Sequence, residues 1–380
     1  MSSILKLSIP DCVKLCTQSY LVHPVRSGRK EQTIYYFAGV MSTSGDRMNF
    51  IDRLKNTVDT MFGRLFFINT YTKELDVFRE IYGSEFKDWE ELVTEASYML
   101  TNANPYLDFP RPTIHKTVQI GGITVPIDPK KNVLPAEWDA IMNERSTNVL
   151  VSFGSVAKAI YMPENYRNTL LEVFESMPNT TFLMKYEEEG SQLAAHLPNV
   201  HLSKWFPQNA LLADPRLTVF VTHGGLGSTT ELAHQGKPAI LVEMQIPLFA
   251  EQSRNAVMLA KHGGGIVLRK TDLGNPDKLR DSVTRIFNDA SYKENAERLS
   301  QMLLNQPISA KQLLVQHSEF AARFGRQPNL DPHGRNLSFI QYHLIDVMLA
   351  VAAVFVAVVY FSVKLLTRCF RVAVIKSKTD

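Results

Sequence analysis

The sequence predicts an α/β protein, with a Rossmann-like domain over residues 148–305 and one membrane-spanning helix over residues 344–366. Three observations carry that expectation. Short apolar runs alternate with helical patterns through the second half of the chain. One of these runs leads into a His-Gly-Gly turn and a helix, and an unbroken apolar segment lies near the C-terminus.

The first strand is expected over residues 148–153 (NVLVSF), ending in Gly154-Ser155 and followed by a helix over 164–176. Thr180–Lys185, 201–202, Leu217–Thr222, 239–242 and 265–268 are the further apolar runs. Helices are expected over Leu226–Gln235, 252–262 and 278–289. Strands that alternate with helices in this way build βαβ units and a parallel sheet. Upstream, residues 48–62 and 86–100 read as amphipathic helices, and Asp108-Phe109-Pro110-Arg111-Pro112 reads as the end of a preceding half-domain. Residues 118–147 are rich in Gly, Pro and charge and read as a linker. Residues 306–343 have the pattern of helices that wrap back across two halves and approach a membrane.

The apolar segment at 347–363 is about 17 residues long, or ~25 Å at ~1.5 Å per residue, and carries no polar stripe. Ile345, Leu365 and Leu366 lengthen it, and Lys364 can snorkel. The tail over 367–380 is basic: Arg368, Arg371, Lys376 and Lys378 follow Lys364, against Arg335 shortly before the span. The positive-inside rule then puts the tail in the cytosol and the globular part in the lumen. Lys376 and Lys378 resemble the dilysine retrieval signal of endoplasmic-reticulum membrane proteins. The sequons at Asn179 and Asn336 fit a lumenal domain. Residues 1–20 do not read as a signal peptide, because Lys6, Asp11 and Lys14 interrupt any apolar stretch. A C-terminal anchor alone would leave the domain in the cytosol, against the charge rule. The expectation is therefore a truncated or incomplete form of a longer protein.

A chain of 380 residues with 45 % hydrophobic content can bury the cores of two domains. A net charge of +3, without a basic run interleaved with aromatics, points away from nucleic acid as a partner. Three cysteines do not make a disulfide scaffold. Cys12 and Cys16 have only His23 nearby, which argues against zinc, and Cys369 beyond the span is a free thiol or a palmitoylation site.

Chemistry concentrates around Leu217–Thr222, the turn His223-Gly224-Gly225 and the helix that follows. A helix after a buried parallel strand points its N-terminus at the carboxyl edge of the sheet, where α/β folds bind ligands. The glycines let a phosphate approach the backbone, and the helix dipole favours an anion there. His223 can donate to a phosphate oxygen and Ser228 adds a hydroxyl. Glu231 lies roughly 7–8 Å further along the axis, about the distance from a diphosphate to ribose hydroxyls. Alone, the tripeptide is equally a packing turn. Trp205 and Gln208 before it and Glu251-Gln252 after it tilt the reading towards a nucleotide-sugar site.

This segment resembles the signature of the UDP-glycosyltransferase superfamily, most closely the membrane-bound UDP-glucuronosyltransferases of animals, and the likeness runs from Tyr36 to the C-terminus. It implies a GT-B-like fold, with a complete C-terminal Rossmann-like donor domain and residues 1–117 as a partial N-terminal acceptor half. It also implies that Trp205 stacks on uracil and Gln208 bonds the nucleoside. His223, Gly224, Gly225 and Ser228 would hold the diphosphate, Glu231 the ribose, and Glu251 with Gln252 the sugar. Ser155, in the first βα turn, would meet phosphate. Lys185 stands where relatives have Arg facing the donor, although a solvated strand-end lysine is the alternative from the residues alone. Gly227 replaces an Asn of many relatives, Glu251 replaces Asp, and Asn102 stands where an Arg suited to a sugar carboxylate is usual.

The implied function is inverting transfer of glucuronate or glucose from a UDP-sugar to a small lipophilic acceptor, a detoxification chemistry, in a single-pass endoplasmic-reticulum membrane protein. UDP-sugar is then the co-substrate. No Asp-x-Asp occurs, so no metal and no other cofactor is expected. The family's base is a His near its N-terminus, oriented by an Asp. Only His23 and His115 precede the donor domain, and neither has the strand-turn-helix setting, so no catalytic residue carries over. A non-catalytic form that binds UDP-sugar or modulates full-length relatives, alone or as a homo- or hetero-oligomer, is the competing expectation. A nucleotide-sugar epimerase on the same architecture is a third, against which the membrane anchor stands.

Overall fold

The computed structural model of the chain describes residues 13–16, 45–110, 112–155, 158–243 and 251–376. In chain order the elements begin with β1 (Val13–Cys16), α1 (Phe50–Tyr82), α2 (Trp89–Glu95), β2 (Tyr98–Thr101), β3 (Thr117–Gln119) and α3 (Ala136–Met142). Next come β4 (Thr147–Ser152), α4 (Glu164–Glu175), β5 (Thr180–Lys185), β6 (Val200–Ser203), α5 (Gln208–Ala213), β7 (Leu217–Thr222) and α6 (Leu226–Gln235). The chain continues through β8 (Ala239–Glu243), α7 (Glu251–Ala260), β9 (Gly265–Arg269), α8 (Pro276–Asn288), α9 (Ser291–Leu304) and α10 (Ala310–Phe324). It ends in α11 (Phe339–Tyr342) and α12 (Ile345–Lys376). His23, Cys12, residues 1–11 and Pro247 to Ala250 lie outside the described residues, as do Lys378 and its neighbours.

Strands β4 to β9 form one parallel six-stranded sheet in the order β6-β5-β4-β7-β8-β9. Counted from the first strand of the domain this is 3-2-1-4-5-6, the doubly wound Rossmann order. Every residue of β5 and β8 is buried, as the near-continuous apolar runs demand of a sheet covered on both faces. Period two divides the residues between two cores. Val149, Val151, Phe182, Met184, Val219 and Val221 face α4 and α8, meeting Leu170, Phe174, Leu279 and Val283. Leu150, Leu183, Phe220 and Leu241 face the other way, towards Leu211, Leu232, Ala256 and Leu299.

The second core also takes residues from outside the sheet. Trp138 and Met142 of α3 and Leu107 and Phe109 pack into it. The segment expected as a linker therefore supplies a core helix, because an Ala-Glu-Trp-Asp-Ala-Ile-Met run places Trp138 and Met142 one turn apart on one face. Strand β3 straddles the expected boundary at 117/118.

The expected helix over 86–100 divides. Asp88 caps α2, whose helix ends at Glu95, and Tyr98–Thr101 is a fully buried strand. It runs parallel between β1 and β3 in a second, three-stranded sheet. Aromatic and large apolar residues fit a pleated buried surface better than a further helical turn would here. The helix expected over 48–62 is longer: it runs on through Gly63, which is buried within it, and ends at Gly83, whose φ is 98°. Ile51, Leu54, Val58, Met61 and Leu65 on it are exposed, so its apolar stripe points away from the body.

Helix α10 returns to cover the smaller sheet. Ala321, Leu313 and Leu314 pack on Tyr98, Leu100, Val118 and Ile120. Ser97 Oγ donates to the carbonyl of Gly325 at 2.6 Å, and Lys116 pairs with Asp331. Beyond this wrap, Ile345–Arg368 is long and apolar enough to cross a membrane and none of it is buried.

Candidate functional site

The order of the large sheet reverses between β4 and β7, and ligands of doubly wound folds bind in the crevice at that point. Ser152 and Thr222 are register partners at the carboxyl ends of these strands, so Gly154-Ser155 and His223-Gly224-Gly225 leave the sheet side by side. A cleft of about 710 Å³ opens there. Ser155, Lys185, Trp205, Gln208, His223, Gly225, Ser228, Glu231, Glu251 and Gln252 all line it. Of the residues the sequence singled out as site members, Gly224 alone does not line the cleft, and its contribution is the turn: its φ is 78°, and a Cβ would meet the Gln252 carbonyl at 3.0 Å. His115 is exposed and lies away from the cleft, as does Asn102.

The turn between β7 and α6 is tight because His223 sits between two glycines. A Cβ on Gly154 would lie 2.6 Å from His223 Cε1, and one on Gly225 would lie 2.9 Å from the same atom. Gly154 also has a φ of 94°. The imidazole is mostly buried and its Nδ1 has no partner. Burial, and then the charge of Lys185, lower the His223 pKa from 6.5 to about 4. The ring is therefore neutral at pH 7 and offers one N–H to an incoming anion. A Cβ at Gly227 would meet nothing within 4 Å, so the helix start is open there.

Lys185 is buried at the end of β5, which corrects the alternative of a solvated strand-end lysine. Its Nζ donates to the Gly154 carbonyl at 2.8 Å and stands 5.0 Å from the centroid of the Trp205 ring. One ammonium thus joins the Gly154 turn to the exposed indole of Trp205. Trp205 itself is 72 % exposed, free to take a planar ring on its open face. Phe206, next in the chain, is buried, 4.7 Å from Trp138 between ring centroids.

The third wall is a closed polar set. Gln208 Nε2 donates to Glu231 Oε2 and to Ser228 Oγ, the latter at 3.3 Å. Burial raises the Glu231 pKa, while hydrogen bonds from Gln208 and Asn209 lower it. Burial likewise raises the Glu251 pKa at the start of α7. Gln252 beside it is buried with its Oε1 unpartnered. Buried polar groups without partners are rare in proteins. Here they gather at the end of β7 and the starts of α6 and α7: Thr222 Oγ1, His223 Nδ1, Thr229 Oγ1, Gln252 Oε1 and both amide atoms of Asn255.

Asn209, which lines the cleft, and Asn255, buried in α7 with both amide atoms unpartnered, were not singled out from the sequence. The available signals were adjacency to Gln208 for Asn209 and an i,i+3 spacing from Gln252 for Asn255. Residues of the expected linker were missed too. Pro126, Asn132 and Pro135 line the cleft, and Gln235 of α6 donates to the Pro126 carbonyl at 3.2 Å.

The depressed His223 pKa has a signed consequence. Between pH 6.5 and about 4 the unfolded chain binds a proton that the folded chain refuses. Stability from this group is complete above pH 6.5 and falls as pH is lowered through that window, by at most about 3 kcal/mol. Melting curves at pH 7.5 and 4.5 should therefore show a larger loss for the unsubstituted chain than for His223→Gln. Equal losses would show that the imidazole is not held neutral. The raised carboxyl groups titrate with the opposite sign, but they are common to both chains.

Comparison with known proteins gives a consistent picture. The family model described as UDP-glucoronosyl and UDP-glucosyl transferase matches residues 5–380. UDP-glucuronosyltransferase 1A1 of Rattus norvegicus is 30 % identical over 329 residues, covering 87 % of this chain and 59 % of that protein. UDP-glucosyltransferase 2 of Dactylopius coccus is 30 % identical over 314 residues, covering 82 % and 59 %. A putative UDP-glucuronosyltransferase of Caenorhabditis elegans, ugt-50, is 27 % identical over 305 residues, covering 79 % and 57 %. The chain thus spans less than two thirds of the length of these relatives. Among solved structures, a glycotransferase of kitacinnamycin aligns with a TM-score of 0.49 at 22 % identity, over 74 % of this chain and 67 % of that one.

Proposed function

Since the chain belongs to the UDP-glucoronosyl and UDP-glucosyl transferase family, we propose that its cleft binds a UDP-sugar and that the protein transfers glucuronate or glucose to a small lipophilic acceptor with inversion. The observation that carries this reading is the convergence of Trp205, Gln208, His223, Ser228, Glu231, Glu251 and Gln252 on one cleft at the switch point of the sheet. Uracil lies on the open face of Trp205, ribose hydroxyls donate to Glu231, and the diphosphate meets His223, Ser155 and the first turn of α6. The sugar reaches Glu251 and Gln252. Binding the ribose replaces the Gln208–Glu231 hydrogen bond that closes this wall in the free chain.

In the reaction the acceptor oxygen forms a bond to C1 of the sugar as the bond from C1 to the diphosphate oxygen breaks. Negative charge grows on the departing UDP, where the helix N-terminus and the His223 N–H stabilise it. The acceptor proton needs a base, and His115 is exposed and does not line the cleft. That position favours a second reading, in which the chain binds UDP-sugar without turning it over or modulates longer relatives. The apolar helix at 345–368 ties either activity to a membrane, for which we propose the endoplasmic reticulum with a lumenal domain.

Calorimetric titration of the detergent-solubilised chain with UDP tests the site. Micromolar binding, unchanged by a chelator, is expected. Trp205→Ala should weaken it by about 1–3 kcal/mol, the value of one base stacked on an aromatic ring. Absence of UDP binding, or full affinity in Trp205→Ala, would overturn the assignment. Product formed from a phenolic acceptor separates the transferase from the non-catalytic reading.

A further inference from the structure

We propose that Asp108 is a positioning residue for the sugar end of the cleft, acting through Arg254 on the first turn of α7; this rests on the donor-site reading above. Helix α7 begins at Glu251 and presents Glu251 and Gln252 to the cleft. Arg254 follows within the same turn and is 1 % exposed. Its Nη2 donates to Asp108 Oδ1 at 2.5 Å, and its guanidinium stands 5.0 Å from the centroid of Phe109. Phe109 also receives Lys261, just past the other end of α7, at 5.2 Å. His262 Nε2 lies 2.9 Å from the Leu107 carbonyl oxygen. Three consecutive residues, Leu107 to Phe109, therefore clasp α7 at both of its ends.

The clasp has a counterpart across the helix. The Gln252 carbonyl is the nearest atom to the place a Gly224 Cβ would occupy, at 3.0 Å. The first turn of α7 is thus held between the diphosphate-side turn on one flank and Asp108 on the other. A guanidinium bonded to a carboxylate fixes direction as well as distance. Sites of this kind need their side chains held to within about 0.5 Å, and groups behind the contacting residues supply that precision. Asp108 pairs with Arg254 inside the core, and neither lines the cleft, so the pair acts on the sugar by setting where Glu251 and Gln252 stand. Asp108 and Arg254 are 146 residues apart in sequence, which makes the upstream segment part of the donor site.

The test uses the full detergent-solubilised chain, with UDP, UDP-glucose and UDP-glucuronate as titrants. The variants are Asp108→Asn, Arg254→Met and the double Asp108→Asn/Arg254→Met, which removes both charges of the pair together. UDP affinity should stay within about twofold of the unsubstituted chain, because Trp205, Gln208, His223 and Glu231 are on other elements. The preference for the better UDP-sugar over UDP should fall about tenfold, in the double variant as well. A double variant that keeps the full preference overturns the proposal, and so does a parallel fall of UDP and UDP-sugar affinity, which marks the pair as purely structural. A chain that binds UDP but shows no preference for either UDP-sugar overturns it too. A chain that binds no UDP overturns the donor reading itself and the positioning role with it.

Discussion

Gly154→Ala should reduce UDP affinity by about two orders of magnitude. The native φ of 94° alone costs a residue with a Cβ roughly 1–2 kcal/mol of strain. The larger effect is steric. The new methyl would sit 2.6 Å from His223 Cε1, so the imidazole must leave its place between Gly154 and Gly225. Displacing the ring forfeits a hydrogen bond to a charged phosphate, worth about 1.5–3 kcal/mol. It also disturbs the Gly154 carbonyl that accepts from Lys185. Gly190→Ala is the control: its φ is 71°, but no atom lies within 4 Å of its Cβ position. It should lose some stability and keep its UDP affinity. Calorimetry on both variants decides the matter, and wild-type affinity in Gly154→Ala would remove His223 from the phosphate site.

Trp138→Ala should cost about 3–5 kcal/mol, as truncation of a buried aromatic usually does. Trp138 stands in the segment that composition reads as a linker, yet it packs on Phe206 and belongs to the core on one face of the sheet. The helix carrying it is pinned further by Arg216, whose Nη2 donates to Asp139 Oδ1 at 2.7 Å. Because Phe206 follows Trp205 directly in the chain, a modest loss of UDP affinity should accompany the loss of stability. For a domain of this size the melting temperature should fall by about 10 °C. A shift under about 2 °C would mean that α3 is dispensable and the segment is a true tether.

What the sequence disclosed and what it concealed follow from the same physics. Strands β5 and β7 and helix α6 stand where their periodicity put them, since buried parallel strands read as unbroken apolar runs bounded by turn residues. The cleft residues between 155 and 252 were legible because they cluster at strand ends and helix starts of one βαβ array. Asp108 and Arg254 were not. Each reads as an ordinary surface charge, and their value arises only when 146 intervening residues fold to bring them together. The strand at Tyr98–Thr101 was concealed for a related reason. Tyr, Met and Leu suit a helix face as well as a buried strand, and its partners β1 and β3 are too short to announce themselves. Asn132 and Pro126 were taken for linker because irregular backbone lining a cleft has no periodicity to read.

The return of α10 onto the smaller sheet has a consequence in time. The smaller sheet is made before the larger one, but the residues that cover its apolar face come after the whole of the larger sheet, and the Gly325 carbonyl that Ser97 bonds comes 228 positions after Ser97. At about 5–20 residues per second, the ribosome needs roughly 10–45 s to deliver them. Throughout that interval Tyr98, Leu100, Val118 and Ile120 lack the cover that α10 gives them, while the whole six-stranded sheet emerges and can fold. The smaller sheet, though synthesised before the larger one, is thus the last able to close, and a nascent chain stalled before Ala310 carries a finished cleft beside an open apolar surface that a chaperone would hold.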